Sequence, residues 1–301
     1  MQQIFVSLFP LLGLILAGYL LKKTQFLATG FWAGAEKLNY YILFPAMLFL
    51  NLAHAQIEVE TLQRLLSVLM AIFGIACTVL YLIRAVFHIN AARFGVYLQS
   101  VLRFNTYIGL ALVATLFQHA GLTIFTLCLA LSIPLVNVLS VLAFADRQHM
   151  DLSAILKSLL SNPLILSCVA GAAWNFADLS LWVGGHDLLR QLAMCSLPLG
   201  LLCVGAALQF SQLKVAIWPL FLNTVARLLL MPALAWIVAT YAELPQLMLQ
   251  VLVIFFALPT ASAAYILTKV MQGDSQLMAA VISVQTLAAA LTLPWVMYWV
   301  T

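Results

Sequence analysis

Arg103 and Arg227 are the two charged residues that lie well inside long apolar stretches of this sequence. A guanidinium surrounded by hydrocarbon needs a partner or a water-filled cavity. Each arginine therefore indicates either a binding site or a structural lock, that is, a side chain that holds neighbouring helices together. No Asp or Glu lies deep in an apolar stretch, which leaves a bound anion as one counter-ion, and the planar fork of arginine suits a carboxylate. The alternative is that each arginine caps backbone carbonyls or extends to the membrane surface. Asn223, one turn before Arg227, favours the lock for that residue.

Short polar and turn-forming residues interrupt two of the apolar stretches, at positions 104–109 (FNTYIG) and 257–262 (ALPTAS). Helices broken at such points expose backbone N–H groups that attract an anion, and transporters built from internal repeats bind their substrates there. The apolar stretches that follow the two interruptions contain Asn137 and Gln285, and we expect both amide side chains to line the same site. The predicted substrate-binding residues are Arg103, Asn105, Thr106, Asn137, Pro259, Thr260 and Gln285.

The sequence lacks the patterns that carry enzymatic chemistry in a membrane. It contains no HExxH, no Walker A, no GxSxG and no pair of aspartates within an apolar stretch. Its five histidines lie near the ends of apolar stretches, and its five cysteines show none of the paired spacing of a metal site or a disulfide framework. We therefore expect no enzymatic activity, no cofactor, no metal ligands and no nucleic-acid partner.

At 301 residues, 65% hydrophobic and 7% charged, with a mean hydropathy of +1.10, the chain has too little polar surface to coat a soluble globule. Its apolar runs are long and continuous, which favours spanning helices over the alternating strands of a barrel. We predict an all-α polytopic membrane protein with ten spanning segments. Charged and turn-rich gaps place these segments at about 4–21, 38–54, 65–87, 95–118, 121–145, 160–176, 189–209, 215–241, 246–270 and 275–300.

The chain contains an internal repeat with a spacing of 153 residues. Two prolines and an Ala-Gly pair recur at this spacing, and the same frame aligns the two interrupted stretches. The sequence therefore predicts two five-helix repeats, residues 1–145 and 160–301, joined by a cytoplasmic linker at 146–159. The matched residues are Pro10, Ala17, Gly18 and Pro45 in the first half and Pro163, Ala170, Gly171 and Pro198 in the second.

Positive charge divides the loops into two classes. Lys and Arg concentrate on or beside the odd-numbered loops, whereas the even-numbered loops hold only Arg64 and Arg190. The odd loops are therefore predicted to be cytoplasmic, and both termini to lie outside the inner membrane. Because five helices is an odd number, the second repeat enters the membrane from the opposite side. Two inverted repeats around a midplane site are the arrangement from which alternating access follows.

Four segments resemble the auxin efflux carrier family, and its bacterial malonate and malate permease-like branch most closely: 38–46 (LNYYILFPA), 103–109 (RFNTYIG), 197–201 (LPLGL) and 258–261 (LPTA). The resemblance implies a scaffold of spans 1, 2, 6 and 7, which also forms a homodimer. It implies a moving domain of spans 3–5 and 8–10, in which helices 4 and 9 break and cross. Asn105 would contact substrate, and Pro259 would lie at the crossover. Plant carriers have a proline where this chain has Phe104, so we expect a softer break in helix 4.

These features predict a secondary transporter of small organic anions, mono- or dicarboxylates, that works by an elevator-like or rocking movement of the crossed helices. Because no acidic group is evident within a span, we expect anion export to follow the membrane potential without a coupling ion. One alternative is a sodium- or proton-coupled carrier of another substrate class on the same fold. A second is a membrane sensor or channel without alternating access.

Overall fold

All regular structure in the described residues is helical. The computed structural model describes residues 2–28, 30–55, 59–144, 161–209 and 217–300, with side chains from residue 8 onward, so the predicted linker 146–159 lies outside the described residues. The helices of the first half are α1 (Gln2–Lys23), α2 (Phe31–Leu38), α3 (Phe44–Ala53), α4 (Val59–Phe87), α5 (Ala91–Leu102) and α6 (Thr106–Phe144). Those of the second half are α7 (Pro163–Phe176), α8 (Val183–Ala207), α9 (Ile217–Val225), α10 (Met231–Tyr241), α11 (Gln246–Ala257), α12 (Ala263–Val270) and α13 (Ser275–Val300).

Two of these helix pairs are continuous, joined by a π-helical turn. Asn39–Leu43 links α2 to α3, and Ala226–Leu230 links α9 to α10. Each turn directly precedes a helix with a proline in its first positions, Pro45 in α3 and Pro232 in α10. Proline has no N–H with which to complete the helical ladder, so the turn before it widens without ending the helix.

The lengths and compositions of the helices fit a bilayer. Five stretches are long and apolar enough to cross a membrane. The longest has 54 residues, more than twice the roughly 20 that one crossing needs. Large apolar side chains cover the outside, with Phe9, Trp182 and Tyr241 each more than three-quarters exposed, a surface that suits lipid and not water. The prediction of a helical membrane protein is confirmed. The five stretches are Val59–Phe87, Ala91–Phe144, Val183–Ala207, Ile217–Tyr241 and Ser275–Val300.

Helical geometry is lost at both of the predicted breaks, which touch each other. After α5, Arg103 has an extended backbone (φ −74°, ψ 148°), and Asn105 then caps the start of α6 by accepting a hydrogen bond from the Ile108 N–H at 3.2 Å. After α11, Leu258 is extended (φ −67°, ψ 144°), the conformation that a following Pro259 imposes. The Asn105 N–H donates to the Pro259 carbonyl at 2.7 Å. The break between α5 and α6 therefore needs no proline before Asn105, because the asparagine cap itself starts α6.

A third interruption divides α6. Gln118 has φ 51° and ψ −140°, in the left-handed region that a helix cannot contain. This residue lies where the sequence predicts the end of the fourth spanning segment. The part of α6 before Gln118 therefore continues from the break at Asn105, and the part after it is a separate helix that contains Pro134.

The helices pack into two groups. In the first, α1 packs on α8 and α3 packs on α7, with backbones close enough that only glycine fits. A Cβ added at Gly18 would strike the Leu202 carbonyl, and one at Gly205 would strike the Ile15 carbonyl. The second group surrounds α11, in which residues 251–257 are at most 1% exposed, with α6, α10 and α13 packed against it. Small residues at contacts are the usual means of close helix packing in membranes.

Candidate functional site

A cavity of about 600 Å³ lies between the two groups of helices, at the break between α5 and α6. One wall is formed by α2 and α3, through Tyr40 and Phe44, and the opposite wall by the break itself. The second part of α6 and the start of α12, which contributes Ser262, complete the lining. The volume is typical of sites for small molecules. Its walls are mostly apolar or aromatic with a few polar groups, a combination that can hold a small amphipathic ligand.

The structure brings four of the seven predicted residues into this cavity. Arg103, Asn105, Thr106 and Asn137 line it. The other three do not line it and lie behind its wall, where Pro259 and its neighbours are buried. A substrate contact through any of the seven stays a prediction. The four lining residues belong to the first half of the chain, and the remaining three, Pro259, Thr260 and Gln285, to the second.

Arg103 is held by α6 with part of its guanidinium free. Its Nη2 donates to Asn137 Oδ1 at 2.8 Å, and its Nε donates to Ser140 Oγ at 3.2 Å. A guanidinium has five N–H donors, and Nη1 has no hydrogen-bond partner among the described residues. No carboxylate lies within 4 Å of it among those residues. A positioned cation with unused donors that lines a cavity is suited to bind an anion.

Asn105 has two roles in the geometry of the break. Its side-chain oxygen caps α6, and its backbone N–H binds the second break at Pro259. The residue is 2% exposed, so only a small part of it reaches the cavity. The cap leaves the side-chain NH2 group as the part of Asn105 available to a ligand. Thr106, the first residue of α6, lies beside it in the lining.

Thr260 and Gln285 form a buried network behind the cavity. Gln285 Oε1 accepts from the Thr260 N–H at 3.0 Å, and Thr260 Oγ1 donates to the Ser100 carbonyl at 2.6 Å. The Gln285 amide donates to Asn223 Oδ1 at 2.9 Å. Both residues have no exposed surface. In this geometry they satisfy the backbone groups freed by the second break, and so hold α5 and α11 at a fixed separation.

Arg227 connects the ends of the two broken helices through hydrogen bonds and has a structural role. It is fully buried, and its Nη1 donates to the Val101 carbonyl at 2.7 Å, at the end of α5. Its Nε donates to the Leu258 carbonyl at 2.6 Å and its Nη2 to the Phe255 carbonyl at 3.4 Å, both at the end of α11. The carboxyl ends of helices carry free carbonyls and partial negative charge. One guanidinium therefore neutralises two converging helix ends, which agrees with the structural role favoured by Asn223.

Glu36 is a lining residue that the sequence analysis missed. The second apolar segment was predicted to begin at residue 38, but α2 begins at Phe31, which places Glu36 within the helix. Glu36 lines the main cavity and a second cavity of about 280 Å³ beside it, where Lys22 also lies. It is the only acid lining either cavity among the described residues. The spacing of Trp32, Glu36 and Tyr40, one per helical turn, is the signal that could have placed all three on one face.

Comparison with known proteins identifies the family. Residues 147–297, about half of the chain, match the family described as "Membrane transport protein". The matched region includes α7 to α12 and most of α13, and thus the second break and Arg227. No curated protein matches the chain closely enough to count as a relative. The chain therefore belongs to the membrane transport protein family, which is that of the auxin efflux carriers, and is a transmembrane transport protein.

Proposed function

We propose that the chain is a secondary transporter of small organic anions, with carboxylates as the substrate class. We further propose that it belongs to the malonate and malate permease-like branch of the family. The observation that carries the proposal is Arg103 beside a cavity of about 600 Å³. Asn137 and Ser140 hold this cation, and its remaining donors have no partner in the part of the chain that the structure describes. A carboxylate can take two N–H groups of such a guanidinium at once. Asn105 and Thr106 then offer an amide, a hydroxyl and the start of a helix to the same anion.

The transporter is built from two inverted five-helix repeats, residues 1–145 and 160–301. Contacts related by the spacing of 153 residues support this. Gly18 packs against Leu202, and Gly171 packs against Phe49, which are the same contact with the two halves exchanged. A twofold relation between the halves explains why one contact predicts the other.

Two further pairs support the same relation. The Lys22 ammonium donates to the Ala206 carbonyl at 2.7 Å, and the Asn175 amide donates to the Ala53 carbonyl at 3.1 Å, again at matched positions. The turns after α1 and α7 both contain a residue with positive φ, Gln25 and Asp178, which are also 153 positions apart. These matches involve polar and turn residues, which are less frequent in this chain than Leu or Ala.

Ten spans follow from the helices if each interruption is assigned to a break or to a loop. The spans are α1, α2 with α3, α4, α5 with the first part of α6, the second part of α6, α7, α8, α9 with α10, α11 with α12, and α13. The charge of the loops supports an orientation with both termini outside the inner membrane. With that orientation the cavity opens to the cytoplasm, because Lys37 and Val270, near cytoplasmic helix ends, lie at its rim.

Transport results from movement of the broken helices against a scaffold. The scaffold comprises spans 1, 2, 6 and 7, which also form the homodimer, and the moving domain comprises the other six. Arg227 and the network of Gln285 tie α5 to α11, so the two breaks travel together. The cavity lies on the boundary between the two groups, where such a movement would expose it to either side of the membrane in turn.

The driving force is the membrane potential. Arg227 already supplies a positive charge to the two helix ends, so the fold needs no bound cation there. Export of an anion from a negative interior yields about 2.3 kcal/mol per charge per 100 mV. Efflux from proteoliposomes, measured with a panel of mono- and dicarboxylates, should follow an imposed potential and persist without sodium or a pH gradient. Counterflow of labelled substrate should also be stimulated by unlabelled substrate inside, which a channel cannot produce.

One alternative, a proton-coupled carrier, is favoured by Glu36. An acid that lines the cavity and forms no ion pair within 4 Å among the described residues can exchange a proton with the solution. In that case substrate flux should carry protons and change the pH inside weakly buffered proteoliposomes, and Glu36→Gln should remove this proton flux or abolish transport. Potential-driven transport by the wild type that moves no protons with the substrate would exclude this alternative.

A further inference from the structure

Two histidines from distant parts of the chain meet at the end of the molecule away from the cavity. His54 directly follows α3, and His186 lies in the first turn of α8. Their ring centroids are 5.4 Å apart, with the ring planes at 85°. His54 is ten residues beyond Phe44, the last residue of its helix that lines the cavity, which corresponds to about 15 Å of helix. The pair is therefore separate from the substrate site.

The backbone that carries His54 is held in place by α7. The Asn175 amide donates to the carbonyls of Ala53 and Ala55, at 3.1 and 2.7 Å, one on each side of His54. Phe49 packs edge-on against Trp174 one turn earlier. His186 is fixed by the first turn of α8, where its N–H donates to the Trp182 carbonyl at 2.9 Å. The two imidazoles thus occupy defined positions on two packed helices.

In both rings Nδ1 faces an acceptor, and Nε2 has no hydrogen-bond partner among the described residues. His54 Nδ1 lies 3.1 Å from the Leu50 carbonyl, which only accepts, so the proton of the neutral ring is on Nδ1. His186 Nδ1 lies 3.6 Å from Asp187 Oδ1, which favours the same tautomer. Nε2 of both rings then carries a lone pair. A histidine that binds a metal ordinarily directs its other N–H at a carbonyl or a carboxylate in this way.

The distance between the rings fits one shared metal ion. With metal–nitrogen bonds of about 2.0–2.1 Å and a tetrahedral angle, two coordinated imidazoles have their ring centres about 5.2 Å apart. The observed separation is 5.4 Å. We propose that His54 and His186 bind one divalent transition-metal ion, of the Zn²⁺, Cu²⁺ or Ni²⁺ class, through Nε2. No group of three metal-ligating side chains occurs among the described residues, so water fills the remaining positions.

The bound ion joins the end of α3 to the start of α8. Both helices belong to the first packing group, so the ion stabilises the folded protein without blocking the broken helices. Binding to the folded state alone raises the midpoint of thermal unfolding as metal concentration rises. The sequence could not indicate the site, because its two ligands are 132 residues apart.

The test uses tag-free purified protein in detergent with Cys195→Ser as background, because Cys195 is an exposed thiol that could itself bind metal. We expect one equivalent of Zn²⁺ to bind in calorimetry and to raise the unfolding midpoint, whereas Mg²⁺ does neither. With one equivalent of Cu²⁺, electron paramagnetic resonance should show two coupled imidazole nitrogens. His54→Gln and His186→Gln should each reduce this to one, and the double variant should bind no ion at this affinity.

His88→Gln and His119→Gln are the matched controls and should keep the full signal. Metal-free unfolding midpoints equal to that of the wild type show that the variants are folded, as expected for side chains that are exposed or, at His186, partly exposed. The proposal is overturned if Zn²⁺, Cu²⁺ and Ni²⁺ all fail to bind. It is also overturned if the bound Cu²⁺ keeps two nitrogens in His54→Gln and His186→Gln.

Discussion

Replacement of Arg227 by glutamine should destabilise the protein, whereas the same change at Arg103 should spare stability and weaken anion binding. Arg227 is fully buried and makes two short hydrogen bonds to carbonyls, at 2.6 and 2.7 Å. Hydrogen bonds from charged groups contribute about 1.5–3 kcal/mol each, so the loss of both removes about 3–6 kcal/mol. The carbonyls of two helix ends would also be left without partners in a dry interior.

Arg103 differs because it lines the cavity. Its acceptor Asn137 also lines the cavity, where solvent can replace the lost donor, and Ser140 keeps its own hydrogen bond to the Val136 carbonyl. Loss of these bonds should change stability by about 1 kcal/mol or less. Anion affinity should fall clearly, because the only arginine lining the cavity among the described residues is removed.

The assay is thermal unfolding in one detergent, followed by the fluorescence of the seven tryptophans, with and without a transported carboxylate. At roughly 2 °C per kcal/mol for a chain of this size, Arg227→Gln should lower the midpoint by about 6–12 °C, and Arg103→Gln by about 2 °C or less. The carboxylate should stabilise the wild type but not Arg103→Gln. Similar midpoints for the two variants would refute the lock, and an undiminished carboxylate effect in Arg103→Gln would refute the anion site.

Three further predictions concern the break, the packing and the topology. Asn105→Ser keeps an oxygen that can cap α6 but removes the amide NH2, so it should fold like the wild type yet transport poorly in proteoliposomes. Asn105→Ala should transport poorly and also lose about 1 kcal/mol of stability, because the cap is lost. Normal transport by both variants would place the substrate elsewhere. Gly18→Ala should lower the unfolding midpoint, because the new Cβ strikes the Leu202 carbonyl. The control Gly13→Ala should not, because a Cβ at position 13 has no atom within 4 Å. Equal effects of the two variants would contradict the close contact of α1 and α8. Cysteines introduced at positions 58 and 301 should react with impermeant thiol reagents added outside, and one at 149 should not; a cytoplasmic C-terminus would refute the inverted arrangement.

The breaks could be predicted from the sequence because their causes are local. Pro259 removes a backbone donor and constrains Leu258, and Asn105 is a strong cap, so both signals act within a few residues of the break. The sequence also indicated that Asn137 lies near the site. The cause of its position, a hydrogen bond to Arg103, spans 34 residues and required the structure.

Other features depend on where helices end and on which helices meet, and neither can be read from neighbouring residues. Glu36 was assigned to a loop because the charged pair with Lys37 looks like a boundary, yet the helix continues through both residues. Gln285 was expected beside the substrate because it follows the second break. Its side chain contacts Thr260 and Asn223, where it satisfies a backbone group freed by the break, and its contact with substrate stays a prediction.

The two arginines show how far the proposed symmetry extends. The matched contacts of Gly18 and Gly171 lie in the first packing group, where both halves need the same close approach. At the breaks the halves differ: the position that corresponds to Arg227 is Gly74, and the position that corresponds to Arg103 is Phe256. Each half therefore contributes one guanidinium with a different task, one fixed between the helix ends and one directed into the cavity. Residues of the second half such as Ser262 complete the lining, but its charged members, Glu36, Lys37 and Arg103, all belong to the first half. In the proposed transporter, exchange of the two conformations therefore alters access to the site but not the charged groups that line it.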